Sequence, residues 1–346
     1  MNIFYKKKPL LDALLLPLIA VSLVFRLMTG IRRYLYRQGI LKSYRPQSRI
    51  ISVGNLTVGG TGKTPMVIYL CTVLAGKRLA VVSRGYGSRG RGTRIVSDGK
   101  NIVSNAEMCG DEPYLIAKSI PGVVVAVGEK KAHVIRFVEQ QYSPDIIIMD
   151  DGFSHLRVKR DLDIVLIDGE KGFGNGHLLP AGPLREPPAA MRRADGIGIK
   201  GSDFAVERKI EKYVPPDKVF HFSYRFKGIK TILDDTKVEA VTLKDQKVLA
   251  VAGIAFPDSF FRMLDAAGVH PAYCIAGPDH STYDEKKLRM LTERFSPDAV
   301  IVTAKDAVKI KDRERDEGVR WLYADIEISE AGEPLKNILR KKGFLR

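Results

Sequence analysis

The residues best equipped for chemistry in the first part of the chain lie between Ile50 and Thr64, in Ile-Ile-Ser-Val-Gly-Asn-Leu-Thr-Val-Gly-Gly-Thr-Gly-Lys-Thr. Gly59, Gly60 and Gly62 let backbone N–H groups turn inward around an anion. A helix starting near Lys63 points its N-terminus at the same place. The chemistry is phosphate binding: Lys63 reaches the β- and γ-phosphates of a nucleotide, and the Thr64 hydroxyl sits on Mg2+. The loop Thr57, Val58, Gly59, Gly60, Thr61, Gly62, Lys63, Thr64 departs from G-x-x-x-x-G-K-[ST] only at its first position, where Thr57 stands in place of glycine. The bland alternative is a glycine-rich turn with no ligand. Gly-Lys-Thr at a helix start directly after a strand favours the phosphate loop. A second acidic site matches it. The apolar run from Asp145 to Met149 ends in Asp150-Asp151-Gly152, which is the pattern that holds a carboxylate near Mg2+ in nucleotide enzymes.

The elements that must position these residues alternate. The strand at 50–53 runs into a helix carrying Met66, Val67, Leu70 and Leu74. A strand near 79–82 ends in Ser83-Arg84-Gly85-Tyr86-Gly87, and a basic glycine-rich loop continues to Arg94. Ile95 to Ile102 predicts a hairpin around Asp98 and Gly99. Gly110-Asp111-Glu112-Pro113 opens a helix, and Asp111 alone would read as its N-cap. Strands near 123–127, 145–149 and 164–167 and a helix near 130–140 follow. Strand–helix alternation of this kind makes a mostly parallel sheet covered on both faces. The glycine- and proline-rich stretch from Gly169 to Pro188 is too long for a plain connection and predicts a functional loop. Val219 to Ile232 alternates with period two and predicts an extended linker strand, with Phe220, Phe222, Tyr224 and Phe226 on one face. A second strand–helix series begins at Val248 and ends in a helix near 334–341. The fold class is α/β: a P-loop kinase-like domain with a mostly parallel sheet, plus a smaller second α/β/α domain joined by a β linker. The expected divisions are an N-terminal segment 1–45, a nucleotide-binding domain 46–215, the linker 216–247 and the second domain 248–346.

Composition constrains the setting. The chain has 346 residues and a net charge of +16. Its first fifty residues hold ten Lys or Arg against one acid, Asp12, so more than half of the excess sits at the N-terminus. That asymmetry predicts an anionic surface as partner. No zinc-finger spacing or RNA-recognition motif is present, which argues against nucleic acid. Cys71, Cys109 and Cys274 are odd in number and far apart, so neither a disulfide framework nor a zinc site is expected. Lys6, Lys7 and Lys8 precede an apolar run from about Ala13 to Phe25, with Arg26, Arg32, Arg33 and Arg37 behind it. The run is short for a spanning helix. It predicts an amphipathic helix on a membrane face, with Pro17 kinking it or ending its first part.

Several motifs occur in one order: Ser-Val-Gly-Asn-Leu-Thr-Val-Gly-Gly-Thr-Gly-Lys-Thr-Pro (52–65), Ser-Arg-Gly-Tyr-Gly (83–87), Gly-Asp-Glu-Pro (110–113), Asp-Asp-Gly-Phe (150–153), Pro-Leu-Arg-Glu-Pro (183–187), Asp-His-x-x-Tyr (279–283) and Thr-Ala-Lys-Asp-Ala-Val-Lys (303–309). The ordered set resembles the tetraacyldisaccharide 4'-kinase family over nearly the whole chain. The resemblance implies transfer of the ATP γ-phosphate, with Mg2+, to the 4'-hydroxyl of a tetraacylated glucosamine disaccharide 1-phosphate, giving lipid IVA. It also implies monotopic attachment to the cytoplasmic face of the inner membrane. Asp111 matches the family's catalytic Asp, and His280 the His that pairs with it. Either Asp150 or Asp151 would ligate Mg2+ directly, and Glu186 resembles a family acid near the metal. Arg84, Tyr86 and the arginines at 89, 91 and 94 are candidates for the acceptor's sugar and 1-phosphate, and Arg185 for substrate or a plain salt bridge. Ser154 departs from the family, which often has Gln there.

Two rival readings remain at this stage. A P-loop GTPase would need an Asn-Lys-x-Asp element; in Thr303-Ala304-Lys305-Asp306 the lysine and acid are adjacent, so the spacing fails. A membrane-bound nucleotide sensor would not need Asp111 and His280. Oligomeric state is not legible in the sequence.

Overall fold

The computed structural model describes residues 16–201, 203–278, 285–310, 318–329 and 331–346. In chain order the first half comprises α1 (Leu16–Arg37), β1 (Arg49–Asn55), α2 (Lys63–Val73), β2 (Leu79–Ser83), β3 (Arg94–Asp98), α3 (Ala106–Cys109), α4 (Asp111–Ser119), β4 (Val124–Val127), α5 (Lys131–Tyr142), β5 (Ile146–Asp150), β6 (Leu162–Asp168), β7 (Gly196–Lys200) and α6 (Phe204–Glu211). The chain continues through β8 (Val219–Thr231), β9 (Lys237–Val238), β10 (Val248–Ala252), α7 (Pro257–Ala266), β11 (Tyr273–Ala276), α8 (Glu285–Phe295), β12 (Ala299–Thr303), α9 (Ala304–Ala307), β13 (Arg320–Ser329) and α10 (Gly332–Lys341).

The strands form one sheet in the order β11-β10-β12-β13-β8-β7-β6-β1-β5-β2-β4-β3, with β9 pairing back on β8. From β7 to β4 every pair is parallel, and β3 closes that edge antiparallel. The apolar content of β1, β5 and β6 reflects burial on both faces. Along β1 the side chains alternate: Ile51 and Val53 join a core with Met66, Leu70 and Ile116, while Ile50 joins Val82, Val134 and Ile147 on the other face.

The long strand β8 serves both halves. Val219 to Phe222 pair in parallel with β7, and Ser223 to Thr231 pair antiparallel with β13. Its aromatic side is divided accordingly. Phe220, Phe222 and Tyr224 pack in the first half, and Phe226 packs against the core around Ile229 and Leu264 in the second. The last helix, α10, does not stay with the second series. Its stripe of Leu335, Ile338 and Leu339, followed by Phe344, is buried with Ile51 and Phe220. Residues 248–346, expected as one unit, therefore divide between two cores. The antiparallel return of β13 along β8 delivers α10 back to the first half.

Register sets the site. Val53 lies beside Asp150 in the β1–β5 pair, and Val82 beside Met149 in the β2–β5 pair. The phosphate loop, Ser83 and the two acids therefore emerge together at the carboxyl ends of neighbouring strands. The chain reverses its direction across the sheet here, where open α/β sheets bind ligands. Pro17 is the second described residue of α1, and the helix continues through Arg37.

Candidate active site

The phosphate loop is built as its glycines require. Gly59 has φ 111° and Gly62 has φ 91°, and α2 starts at Lys63. A Cβ on Gly62 would lie 2.4 Å from Tyr224 Oη and 3.2 Å from Phe222 Cε2. The linker strand β8 thus presses directly on the loop, and only glycine fits between them. The Thr61 hydroxyl is buried with no hydrogen-bond partner, leaving a donor at the cradle. Thr57, where a glycine was expected, is buried and bridges to Leu184. Val58 N–H donates to Pro183 O (2.8 Å), and Arg185 N–H donates to Leu56 O (2.7 Å). The glycine- and proline-rich loop is therefore stapled along the phosphate loop.

Stapling delivers Arg185 to the acids. Its Nη1 donates to both carboxylate oxygens of Asp151 at 2.9 Å, and Lys63 Nζ stands 3.8 Å from Asp151 Oδ1. Burial works against ionising Asp151, but Lys63, Arg185 and Lys131 outweigh it and hold the carboxyl at about 2. Asp150 is the opposite case. It is buried, and burial together with the Glu112 carboxylate pushes it up to about 6, against the pull of Lys131 and Lys63. Ser83 Oγ donates to its Oδ2 (2.9 Å), while Oδ1 has no partner.

An unsatisfied buried carboxylate oxygen beside a second acid suits a divalent cation. Among the described residues no three His, Cys, Asp or Glu side chains gather to hold a metal by themselves. Mg2+ is the ion such a site fits, because it takes one or two carboxylates and completes its shell with phosphate oxygens and water. Glu186 is arranged differently. Its two oxygens accept from Arg193 Nη1 and Nη2 (both 2.8 Å), one accepts from Ser154 Oγ (2.6 Å), and Arg33 Nη1 lies 3.5 Å away. Its carboxylate faces cations and a hydroxyl.

Asp111 is the first residue of α4, not its cap: Gly110, at φ 94°, holds the cap position. Its Oδ1 accepts the Glu112 N–H (2.9 Å), and the side chain is buried. Lys309 Nζ lies 3.3 Å and Lys305 Nζ 4.0 Å from its Oδ2, both reaching across from the second half. His280 lies outside the described residues. Arg84 and Tyr86 line the cleft, a cavity of about 1940 Å³ walled by both halves. Arg89, Arg91 and Arg94 do not line it. Arg89 pairs with Glu107, and Arg94 donates to the carbonyls of Met108 and Arg91, so these side chains brace the basic loop.

Comparison with known proteins gives this arrangement its family. The tetraacyldisaccharide-1-P 4'-kinase family model matches residues 12–343. The chain belongs to the tetraacyldisaccharide 4'-kinase family. The tetraacyldisaccharide 4'-kinase of Pelobacter propionicus is 37% identical over 341 residues, covering 95% of this chain and 94% of its own. That of Geobacter metallireducens is 39% identical over 308 residues, covering 87% and 90%. The crystal structure of LpxK from Aquifex aeolicus in complex with ATP superposes with a TM-score of 0.75 at 31% identity, covering 96% of this chain and 99% of that one.

In this family member two residues beyond those singled out by sequence stand at the site. Lys131 begins α5, is buried, and donates to the carbonyls of Asp150 and Asp151 (2.7 Å to the latter). Burial pulls its ammonium below the usual lysine value. Glu112 lines the cleft and pairs with Lys305 at 2.9 Å. The position of Lys131, directly after β4 at the carboxyl edge of the sheet, was the signal available for it.

Proposed function

We infer that this chain is an ATP-dependent kinase that moves the γ-phosphate to the 4'-hydroxyl of a tetraacyldisaccharide 1-phosphate, a step of lipid A synthesis. The observation that carries the reading is the convergence of Lys63, Arg185 and the Asp150–Asp151 pair on one phosphate loop, within a chain matched to the family over residues 12–343. An O–P bond forms to the sugar hydroxyl, the bond between the γ-phosphorus and its bridging oxygen breaks, and ADP leaves. Lys63 and the loop N–H groups neutralise charge on the moving phosphoryl group. Asp150, Asp151 and Thr64 would hold Mg2+, which spreads phosphate charge when bound. Asp111 takes the hydroxyl proton, and His280 is the residue proposed to pair with it. Arg84 and Tyr86, on the cleft wall, suit the acceptor's phosphate and sugar. A guanine-reading role for Asp306 has no support: it is fully buried and bonded to Thr303, Gly253 and Lys309.

The test is transfer from γ-labelled ATP to detergent-dispersed tetraacyldisaccharide 1-phosphate, beside an acceptor lacking the 4'-hydroxyl. Label on the first acceptor alone is expected. Release of inorganic phosphate without acceptor labelling would move the reading to an ATPase.

The proposed setting rests on α1. Ser22 donates to Leu178 O (2.6 Å) and Phe25 packs into the core, while Leu16, Val21, Leu23, Val24, Leu27, Met28 and Ile31 are exposed. Among the described residues no helix is long and apolar enough to cross a membrane. An apolar face flanked by Arg26, Arg32 and Arg37 suits an anionic bilayer surface. The cytoplasmic face of the inner membrane is the side supplied with ATP. Leu27→Glu combined with Ile31→Glu should weaken sedimentation with phosphatidylglycerol vesicles at least about 10-fold, with ATP binding intact. Unchanged sedimentation would remove α1 as the anchor.

A further inference from the structure

The motif Thr303-Ala-Lys-Asp-Ala-Val-Lys forms a compact turn at the end of β12. Thr303 caps α9 by accepting Asp306 N–H, and its hydroxyl donates back to Asp306 Oδ2 (2.7 Å). Asp306 is fully buried and also accepts Gly253 N–H (2.8 Å). A carboxylate held this way is a fixed anchor, since its remaining oxygen must also be satisfied in the interior. Lys309 satisfies it: Nζ donates to Asp306 Oδ1 at 3.0 Å. The same ammonium stands 3.3 Å from Asp111 Oδ2, with its side chain 13% exposed.

Asp111 is thereby held at both oxygens. Oδ1 accepts the Glu112 N–H, and Oδ2 faces Lys309. Lys305 reinforces the pairing by bridging Glu112 at 2.9 Å, with Asp111 Oδ2 at 4.0 Å. The carboxylate belongs to α4 of the first half, and its two lysines belong to the second. A lysine suits the position because one ammonium with three donors can serve two carboxylates in different directions, which a planar guanidinium does less well.

We propose that Lys309, anchored by Asp306, is a positioning residue that fixes the direction and charge of the Asp111 carboxylate for proton abstraction. The proposal rests on the reading of Asp111 as the base. Lys309 touches neither ATP nor acceptor in this role; it acts through Asp111. A base displaced by an ångström loses much of its effect while substrate binding is retained.

The experiment is steady-state phosphoryl transfer by the full chain in four variants: Lys309→Met, Lys309→Arg, Asp111→Asn and the double variant Asp111→Asn with Lys309→Met. Lys309→Met is expected to lower kcat about 10- to 100-fold with KM for ATP within about 2-fold. Lys309→Arg should recover part of the loss, because the charge returns while the planar guanidinium serves the two carboxylates less well. In the double variant, Lys309→Met should add less than about 2-fold to the loss from Asp111→Asn, as expected when one residue works through the other. If Lys309→Met does not fold, Lys309→Gln, a polar side chain one atom shorter and without the charge, carries the same expectation. Wild-type kcat in Lys309→Met, or losses that multiply in the double variant, would overturn the proposal while leaving Asp111 as base. Wild-type turnover in Asp111→Asn would overturn the base reading, and the proposal with it.

Discussion

Asp111→Asn should lower kcat for phosphoryl transfer by about 10³-fold while ATP binding stays within about 3-fold of wild type. The substitution changes little else. Asparagine is close to aspartate in size, its carbonyl can still accept the Glu112 N–H, and it stays at the first turn of α4. What it loses is the ability to accept a proton and the negative charge facing Lys309 and Lys305. Lys309 keeps Asp306, and Lys305 keeps Glu112, so no buried ammonium is stranded. The loss therefore falls on chemistry and not on folding. Rapid-quench measurement with saturating ATP separates the two, because a folding defect reduces the burst amplitude and a missing base reduces the rate. Transfer at the wild-type rate would leave Asp111 as an acid in a helix's first turn, where a carboxylate is favoured by the dipole alone.

The parts of this site that the sequence disclosed are those with strict backbone demands. Glycines at 59 and 62 announce left-handed turns, and both have positive φ. The apolar run into Asp150 announces a buried strand, and the acids stand at its end because β1 and β5 pair in parallel at Val53 and Asp150. The long glycine–proline loop was legible as more than a plain connection. Its partner was not, since nothing in the residues of 183–185 states that they hydrogen-bond along 56–58. Side-chain direction was harder still. The arginines at 84, 89, 91 and 94 share one charge pattern, but only Arg84 lines the cleft, because Glu107 and nearby carbonyls draw two of the others away. Lys131 escaped notice for the reason that lysines are almost never buried, and its cost is met by two carbonyls that no local pattern reveals. The sequence predicted a helix near 334–341 but not the core it would join, which depends on β13 returning beside β8.

Lys63→Met should reduce kcat/KM by about 10²- to 10³-fold, the scale of about 2.7 to 4 kcal/mol seen when one preorganised charge-stabilising donor is removed. Lys63 is the first residue of α2, its side chain is 14% exposed, and Nζ stands 3.8 Å from Asp151. The separation is long for an ion pair, so the ammonium is held near the cradle without being committed to the carboxylate. A phosphate entering the loop competes for it on favourable terms. Methionine keeps the length of the stem and removes only the charge. In the variant Arg185 remains on both oxygens of Asp151 and Lys131 remains beside it. The acid pair is therefore preserved, and the deficit reports on the phosphoryl group itself. Lys63→Arg should recover little of it. A planar guanidinium cannot reach into a loop pressed between β8 and the 183–185 segment as a single ammonium does. Calorimetric titration with a non-hydrolysable ATP analogue, run beside turnover, checks the division: a larger fall in kcat than in affinity is expected if Lys63 follows the moving phosphoryl group. Equal falls in both would make Lys63 a ground-state anchor for the nucleotide, and no fall in either would remove the phosphate-loop reading altogether.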